Sequence, residues 1–306
     1  MELESADLDV VCVGMVTPAE VYVVDKIPKW NTGTKWNSRA DFVSDDAAIV
    51  AINLANWGLK AGLICNKFGE DVAGRNLQTE LEDAGLVGDF LLDKSLRTPY
   101  EIVISDSSGG RTYIWDRRDD VLRTLFEAST KIITRTNHCY FDWYDLPYIL
   151  PAIKDARSNG VSVFFNIEDR FDDSEILSVA SEYATCVQAN SSELDGMSSM
   201  QSISELLISK GVSVAVVTGA ANGCSVSDGV DSFIVKPPSV RVVDANGAGA
   251  VLSAGMMYGL IQGWDLKNTC KFAVAAASKK CELVGPVFTK FDQALSLANR
   301  LGLQSI

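Results

Sequence analysis

Short apolar runs of strand length alternate along the chain with segments in which apolar residues recur at helical spacing. The runs that predict strands are residues 10–16, 61–65, 132–136, 139–141, 161–166, 186–189 and 212–218. The segments that predict helices are residues 47–57, 71–84, 146–159, 173–184, 203–210, 251–260 and 266–283. Strands that alternate with helices in this way are typical of a mostly parallel sheet covered by helices on both faces.

Two regions depart from this alternation. Residues 21–42 carry scattered aromatic and polar side chains, and residues 100–115 alternate apolar with polar positions. The second region contains the turn Ser107-Ser108-Gly109-Gly110, which predicts a β-hairpin. Together the two regions predict a small antiparallel sheet beside the main body. The alternative is an ordinary hairpin at the edge of the main sheet.

Size and charge narrow the class of protein. The chain has 306 residues, of which 47% are hydrophobic and 22% charged, enough for one large domain or one domain with a small lid. The net charge of -13 disfavours nucleic acid and anionic membranes as direct partners. No window approaches the roughly 18 apolar residues of a membrane span. Residues 1–9 are acidic rather than a secretory signal, which favours a cytoplasmic protein.

Cysteine and histidine offer little evidence of metal or triad chemistry. The seven cysteines form no C-x-x-C pair, and Cys12, Cys65, Cys186 and Cys224 lie in apolar contexts. This pattern predicts reduced thiols in the core. The single histidine, His138, has no histidine companion and is interpreted as structural.

A glycine-rich turn is the strongest chemical signal in the chain. Gly247-Ala248-Gly249 follows the apolar run 240–243 and precedes the predicted helix 251–260. Such a turn directs backbone N–H groups into one space at the positive end of the following helix. That arrangement suits a phosphate group or a developing oxyanion.

The frame around this turn resembles the signature of the PfkB/ribokinase family of sugar kinases, with ketohexokinase and the fructokinases closest in pattern. Other matching segments occur in the family's order across nearly the whole chain, at residues 24–28, 67–74, 97–98, 110–112, 190–193, 217–223 and 278–281. The resemblance implies an α/β protein with the three-layer α/β/α ribokinase-like fold. It implies one domain over residues 1–306, with a small β-sheet lid formed by about residues 17–43 and 98–117. It also implies ATP and Mg²⁺ as cofactors and a homodimer formed through the lid.

The resemblance also assigns roles to individual residues. Gly247, Ala248 and Gly249 would form the anion hole. Asn190 and Glu193 would organise Mg²⁺ through water, and the remaining nucleotide-side positions would be Thr218, Gly223 and Asp244. Asn190 with Glu193 also fits a helix-capping pair, and Asp244 also fits an ordinary turn residue.

Several positions depart from the family pattern, and they cluster at the sugar site. Ala250 replaces the aspartate that acts as general base. Ser44 and Asp45 replace paired glycines, and Ile49 replaces an asparagine that hydrogen-bonds the sugar. Two further positions also depart from the pattern: Ala19 replaces an early sugar-binding aspartate, and Ala220 replaces a loop glycine. One further polar contact with the sugar falls near Asn31.

Three functions remain open on this pattern. The first is a pseudokinase or strongly diverged sugar kinase that retains the phosphate site. An engineered loss of the base would explain Ala250 alone, but it would not explain the changes at Ser44, Asp45, Ile49 and Ala19. The second is an active ATP-dependent kinase on a non-standard sugar or nucleoside-like acceptor, with Asp45 or Asp46 as base, although either residue could simply cap a helix. The third is a structural or regulatory subunit with a protein partner, suggested by Trp30, Trp36 and Trp115, which could equally be core residues.

Overall fold

The computed structural model describes residues 7–106, 110–191, 196–288 and 290–305, excluding the side chains of residues 196–198 and 305. Its strands are β1 (Val10–Val13), β2 (Thr17–Val24), β3 (Trp36–Ser44), β4 (Ala61–Ile64), β5 (Phe68–Gly69), β6 (Leu92–Asp93), β7 (Glu101–Asp106), β8 (Arg111–Trp115), β9 (His138–Asp142), β10 (Ser162–Glu168), β11 (Cys186–Asn190), β12 (Val214–Thr218), β13 (Cys224–Ser227), β14 (Ser232–Val235) and β15 (Leu303–Ser305). Its α-helices are α1 (Asp46–Asn56), α2 (Val72–Asp83), α3 (Asp119–Phe126), α4 (Leu150–Ser158), α5 (Ser174–Tyr183), α6 (Gly196–Ser209), α7 (Ala248–Ile261), α8 (Leu266–Lys280) and α9 (Phe291–Ala298).

One large sheet organises the protein. Its strand order is β15-β14-β13-β12-β11-β10-β9-β1-β4, in which β4, β1 and β9 to β12 are parallel and β13 to β15 extend the edge antiparallel. The parallel strands therefore end along a common edge, where open α/β sheets bind ligands.

Helices cover both faces of this sheet, as the strand pattern predicts. Alternate residues of β1 enter different cores: Val10 and Cys12 pack with α1, α7 and α8, whereas Val11 and Val13 pack with α4 and α6 on the other face. A strand that is buried on both faces is apolar at every position, which explains its continuous apolar run. The predicted three-layer α/β/α architecture is confirmed.

A separate small sheet has the strand order β3-β2-β7-β8. The β2–β3 and β7–β8 pairs are antiparallel, as the hairpin pattern predicts, but the central β2–β7 pair is parallel. All four strands lie within or at the ends of the two regions expected to form a lid. Residues 107–109 of the predicted hairpin turn lie outside the described residues.

Two local predictions are wrong, and one further apolar run is irregular. Residues 132–136 were expected to form a strand, but Lys131–Arg135 is a 3₁₀ helix that buries Ile133 in the core. The strand predicted for residues 10–16 ends at Val13. The apolar run 240–243 has no regular structure, and Val243 N–H donates to the Cys281 carbonyl instead of to a neighbouring strand, with a 2.8 Å N–O distance.

The cysteines, the histidine and the length of the helices complete the description of the fold. All seven cysteines have free thiols, six of them buried. His138 begins β9, where burial lowers the pKa of its imidazole. Among the described residues, no helix combines the length and apolar character required to cross a bilayer.

Candidate active site

A cavity of about 330 Å³ lies between the small sheet and the edge where the parallel strands end. The main sheet and its helices contribute one part of its lining, and the small sheet contributes the other. Its lining residues are Ser44, Asp45, Asp46, Ile49, Glu101, Arg111, Tyr113, Trp115, Arg117, Asp142, Tyr144, Glu168, Asn190, Asn246, Gly247, Gly249 and Ala250.

The glycine-rich turn forms one wall of this cavity at the start of α7. Gly247 is the N-cap residue and has a left-handed backbone, φ 74°. A Cβ atom added there would lie 2.5 Å from the Pro286 Cβ atom, whereas one added at Gly249 would meet no atom within 4 Å. Gly247 is therefore required by the turn itself, and Gly249 leaves open space at the helix N-terminus that an anion can occupy.

A buried ion pair holds the turn in place. The Asp244 carboxylate accepts hydrogen bonds from the Asn246 and Gly285 N–H groups, both at 2.9 Å. Lys280 Nζ donates to the Asp244 carbonyl oxygen at 2.6 Å and lies 3.7 Å from its Oδ2 atom. Both side chains are fully buried, and burial lowers the pKa of the lysine. Asp244 thus supports the turn from behind and does not line the cavity.

The nucleotide-side residues predicted from the sequence are only partly brought together. Asn190 lines the cavity at the end of β11, and its Oδ1 atom accepts a 2.7 Å hydrogen bond from the Thr218 hydroxyl group. Thr218 ends β12, and Gly223, with φ 106°, precedes β13; neither lines the cavity. Glu193 lies outside the described residues.

Asp45 occupies the N-cap position of α1, but its side chain makes no capping hydrogen bond. It accepts instead from the Thr17 hydroxyl and from Arg117 Nη1, both at 2.8 Å. Its backbone has φ 71° and ψ 143°, close to a region that non-glycine residues rarely adopt. The capping alternative is therefore wrong for Asp45, whose carboxylate is committed to Arg117.

Asp46, the first residue of α1, has a different environment. Its Oδ2 atom accepts a 3.1 Å hydrogen bond from Asn166, on β10. Burial, together with the charges of Glu168 and Asp45, raises the pKa of this carboxyl group to about 8. A carboxyl group with a pKa near neutrality can both accept and release a proton under physiological conditions.

Three further carboxyl groups face the same cavity. Burial raises the pKa of Glu101 to about 7, with a contribution from the charge of Asp45, and raises that of Asp142 well above its ordinary value. Burial also raises the pKa of Glu168, which accepts a 2.7 Å hydrogen bond from the Tyr144 hydroxyl group. The cavity is thus unusually rich in carboxyl groups that are held away from water.

A chain of hydrogen bonds joins the small sheet to the glycine-rich turn. Arg111 Nε donates to the Tyr113 hydroxyl at 2.7 Å, and that hydroxyl donates to Asn246 Oδ1 at 3.3 Å. Burial raises the pKa of Tyr113 to about 12, so the phenol stays protonated and can act as this donor. The position of the small sheet is thereby coupled to the turn.

Eight of the site residues predicted from the sequence meet in one cavity: Ser44, Asp45, Asp46, Ile49, Asn190, Gly247, Gly249 and Ala250. Two expected sugar-side positions do not. Ala19 is buried within β2, and Asn31 is exposed in the segment between β2 and β3. Ala248 is the first residue of α7 but is not part of the lining.

Sequence reasoning missed several lining residues, including Glu101, Arg111, Asp142 and Glu168. Asp142 and Glu168 are the last residues of the adjacent strands β9 and β10. A polar residue at the carboxyl end of a parallel strand was a signal that could have identified both. Glu101 and Arg111 required knowledge of where the small sheet lies.

Comparison with known proteins agrees with this geometry. The family model for pfkB family carbohydrate kinases matches residues 46–291. The chain belongs to the PfkB family. An uncharacterized sugar kinase of Archaeoglobus fulgidus is 24% identical over 250 residues, covering 76% of this chain and 96% of that protein. A nucleoside kinase of Methanothermobacter thermautotrophicus is 26% identical over 283 residues, covering 90% and 89%.

Solved structures show the same fold. Ribokinase of Arabidopsis thaliana, complexed with ribose and ATP, superposes with a TM-score of 0.72 at 17% identity, covering 95% of this chain and 98% of that one. The PfkB chain described here therefore has the ribokinase-like arrangement of a large sheet and a separate small sheet.

Proposed function

We propose that this PfkB protein is a pseudokinase or strongly diverged sugar kinase that still binds nucleotide phosphate. The observation that carries the proposal is the wall of the cavity at α7. Gly247 and Gly249 retain the geometry of an anion-binding turn, whereas Ala250, one residue further along, presents only a methyl group. Phosphate can be held there, but residue 250 has no group that accepts a proton.

The sugar side of the cavity supports the same proposal. Ile49 adds an apolar side chain where the family resemblance implies a hydrogen-bonding amide. Ser44 donates its hydroxyl to Glu101 at 2.6 Å, and Asp45 is engaged by Arg117. These side chains are already partnered within the protein, so they are poorly suited to binding the hydroxyl groups of an ordinary ketose.

ATP and Mg²⁺ fit the residues present. The open space at Gly249 and the N–H groups at the start of α7 would receive the phosphates, and Asn190 Oδ1 would face the metal's water shell. Bound Mg²⁺ would neutralise phosphate charge. Lys280 and Asp244 would keep the turn rigid, because their hydrogen bonds fix the chain immediately before it.

The test restores the base alone. We expect Ala250→Asp to leave ketohexose phosphorylation far below that of an efficient kinase, because Ile49 and Asp45 remain in the sugar site. A general base contributes about 10²–10⁴ in rate, which cannot compensate for a site that does not bind the sugar. Coupled-enzyme assays with D-fructose, with the parent chain as reference, would measure this. Efficient turnover by the single variant would show that the other departures matter little.

A second candidate function is an active kinase in which Asp46 has replaced the missing base. The observation that favours it is the raised pKa, about 8, of a carboxyl group in the same cavity as the glycine-rich turn. Asp45 is less suitable because its carboxylate is paired with Arg117. If Asp46 is the base, any ATP-dependent turnover should fall by about 10²-fold or more in Asp46→Asn. Unchanged turnover in that variant would eliminate this candidate.

A further inference from the structure

The charges around the cavity are strongly unbalanced. Among its described lining residues, five carry carboxyl groups (Asp45, Asp46, Glu101, Asp142 and Glu168) and two carry guanidinium groups (Arg111 and Arg117). Arg117 is committed to Asp45 and to Asp145, which lies just behind the wall. Apart from the pair of Asp45 and Arg117, the described lining therefore holds four carboxyl groups and one cation, Arg111.

The hydrogen bonds of these four carboxyl groups come from neutral donors. Asn166 donates to Asp46 at 3.1 Å and the Ser44 hydroxyl to Glu101 at 2.6 Å. Tyr144 donates its backbone N–H to Asp142 at 3.2 Å and its hydroxyl to Glu168 at 2.7 Å. Within the described part of the chain, none of the four has a cationic group within 4.0 Å. Burial raises the pKa of all four, so each is held toward the neutral, protonated form, and a cation bound among them would favour the ionised form.

A second observation points into the same cluster. The Tyr140 hydroxyl is fully buried and makes no hydrogen bond among the described residues. Burial raises the pKa of this phenol, the charges of Asp46 and Asp142 raise it too, and the Asn166 side chain lowers it, so the hydroxyl lies near these three side chains. A buried polar atom without a well-aligned partner can receive one from a bound group.

A cation bound in this cluster would be an organic cation rather than a bare metal ion. Among the described residues, no three histidine, cysteine, aspartate or glutamate side chains converge closely enough to form a metal site. The volume of about 330 Å³ is at the lower end of the range for small-molecule pockets, which suits a ligand of monosaccharide size.

We propose that the ligand of this cavity is a polyhydroxylated compound that carries a protonated amine, such as an amino sugar. The amine would lie among Asp46, Asp142 and Glu168, with the hydroxyl groups in the rest of the cavity. This inference rests on the proposed function, because it assigns the acceptor side of the same cavity that the phosphate turn borders. An amine among buried carboxylates forms charge-assisted hydrogen bonds, which are about twice as strong as neutral ones.

The experiment compares ligands that differ only in the amine. Calorimetric titrations of the full chain at pH 7 would use D-glucosamine, D-glucose and N-acetyl-D-glucosamine, and 1-amino-1-deoxy-D-fructose with D-fructose. We expect each amine to bind at least about tenfold more tightly than its uncharged counterparts. Asp46→Asn and Glu168→Gln, which keep shape and remove charge, should each reduce this preference. Asp89→Asn, at an exposed carboxylate outside the cavity, should leave it unchanged.

Two results would overturn the inference. One is equal binding of charged and uncharged ligands, or no binding of either; the other is an amine preference that survives in both cavity variants. ATP is titrated into the same samples. If ATP binds while the amine preference fails, the inference is wrong and the proposed function stands. If ATP also fails to bind, both are wrong.

Discussion

Asp45 and Ala220 are non-glycine residues whose backbone conformation favours glycine. Both have positive φ angles, 71° and 46°, at positions where the family resemblance places glycine. A non-glycine residue in such a conformation costs about 1–3 kcal/mol and persists only when its surroundings hold it there. At Asp45 the surroundings are known, because Thr17 and Arg117 both bind its carboxylate.

Arg117 is therefore expected to stabilise the fold around the cavity. Arg117→Met should lower the free energy of unfolding by about 3–5 kcal/mol, because it leaves the buried Asp145 and the half-buried Asp45 without a cation. Burial already raises the pKa of Asp145 to about 6 from an ordinary 3.8, and Arg117 is the neighbouring cation that lowers it. Without Arg117 the pKa of Asp145 should rise further. A carboxyl group whose folded pKa is raised contributes most stability at acid pH and loses it as pH rises. The loss in the variant should thus be larger at pH 8 than at pH 5.

The neighbouring arginine provides a matched control. Arg118 pairs with Asp120 at the exposed start of α3, and such surface pairs contribute little to stability because water screens them. Urea unfolding of Arg118→Met should resemble that of the parent at both pH values. Equal effects of the two substitutions, or a loss in Arg117→Met that grows at acid pH, would show that Arg117 is not the counter-charge described here.

Residue-level prediction from the sequence succeeded where a motif is local. The glycine-rich turn at Gly247 and Gly249 was identified from its own residues, whereas Ala250, Ser44, Asp45 and Ile49 were identified from the family resemblance, which can be followed because each set lies within a short segment. Glu101, Asp142 and Glu168 are far apart in the sequence and belong to no short motif. Only the register of β7, β9 and β10 brings their carboxyl groups to one cavity.

At the scale of elements, periodicity predicted the long helices better than the short strands. Helices α7 and α8 were identified within about three residues at each end, because apolar patterns of that length have few alternative explanations. Residues 132–136 were misassigned because a short apolar run looks the same in a strand and in a buried turn of 3₁₀ helix. Ile133 is buried either way, so hydrophobicity alone could not distinguish them.

The two glycines at the start of α7 should respond differently to the same substitution. Gly247→Ala should lower stability by about 1–3 kcal/mol, because its φ of 74° is unfavourable for alanine and its Cβ atom would meet Pro286. Gly249→Ala should change stability by less than about 1 kcal/mol, since its Cβ atom meets nothing and alanine favours a helix. Its methyl group should nevertheless weaken ATP binding. Urea unfolding and calorimetry on both variants would separate the two effects.

These variants distinguish a phosphate site from a merely structural turn. If Gly249→Ala binds ATP as well as the parent, the space at Gly249 does not receive phosphate. If Gly247→Ala is as stable as the parent, the turn is not constrained as described.

At the scale of the whole molecule, the sequence predicted the architecture but not the chemistry of the cavity. The alternation of strands and helices and the family resemblance together were sufficient for the three-layer fold with a small sheet. The cavity forms only when that sheet is placed over the edge of the main sheet. Tyr113, which bonds across this boundary to Asn246, was consequently beyond the reach of periodicity or motif reasoning.

The exposed side of the small sheet leads us to propose a homodimer formed through it. Trp36 and Ile114 are more than half exposed there, and Trp30 in the adjoining segment is 91% exposed. Light scattering should give the mass of a dimer, and Trp36→Asp should shift it toward the monomer. Phe126→Asp, at a residue of equal exposure on α3, is the control and should remain dimeric. A monomeric mass for the parent over a broad concentration range would contradict the proposal.

The most direct test of the account is a calorimetric titration of the parent chain with ATP and Mg²⁺ in the absence of any sugar. The account holds that the phosphate turn at Gly247–Gly249 remains functional although Ala250 cannot act as a base. It predicts binding of micromolar strength. Absence of binding at millimolar nucleotide would contradict it, because both halves of the site would then have lost their ligands.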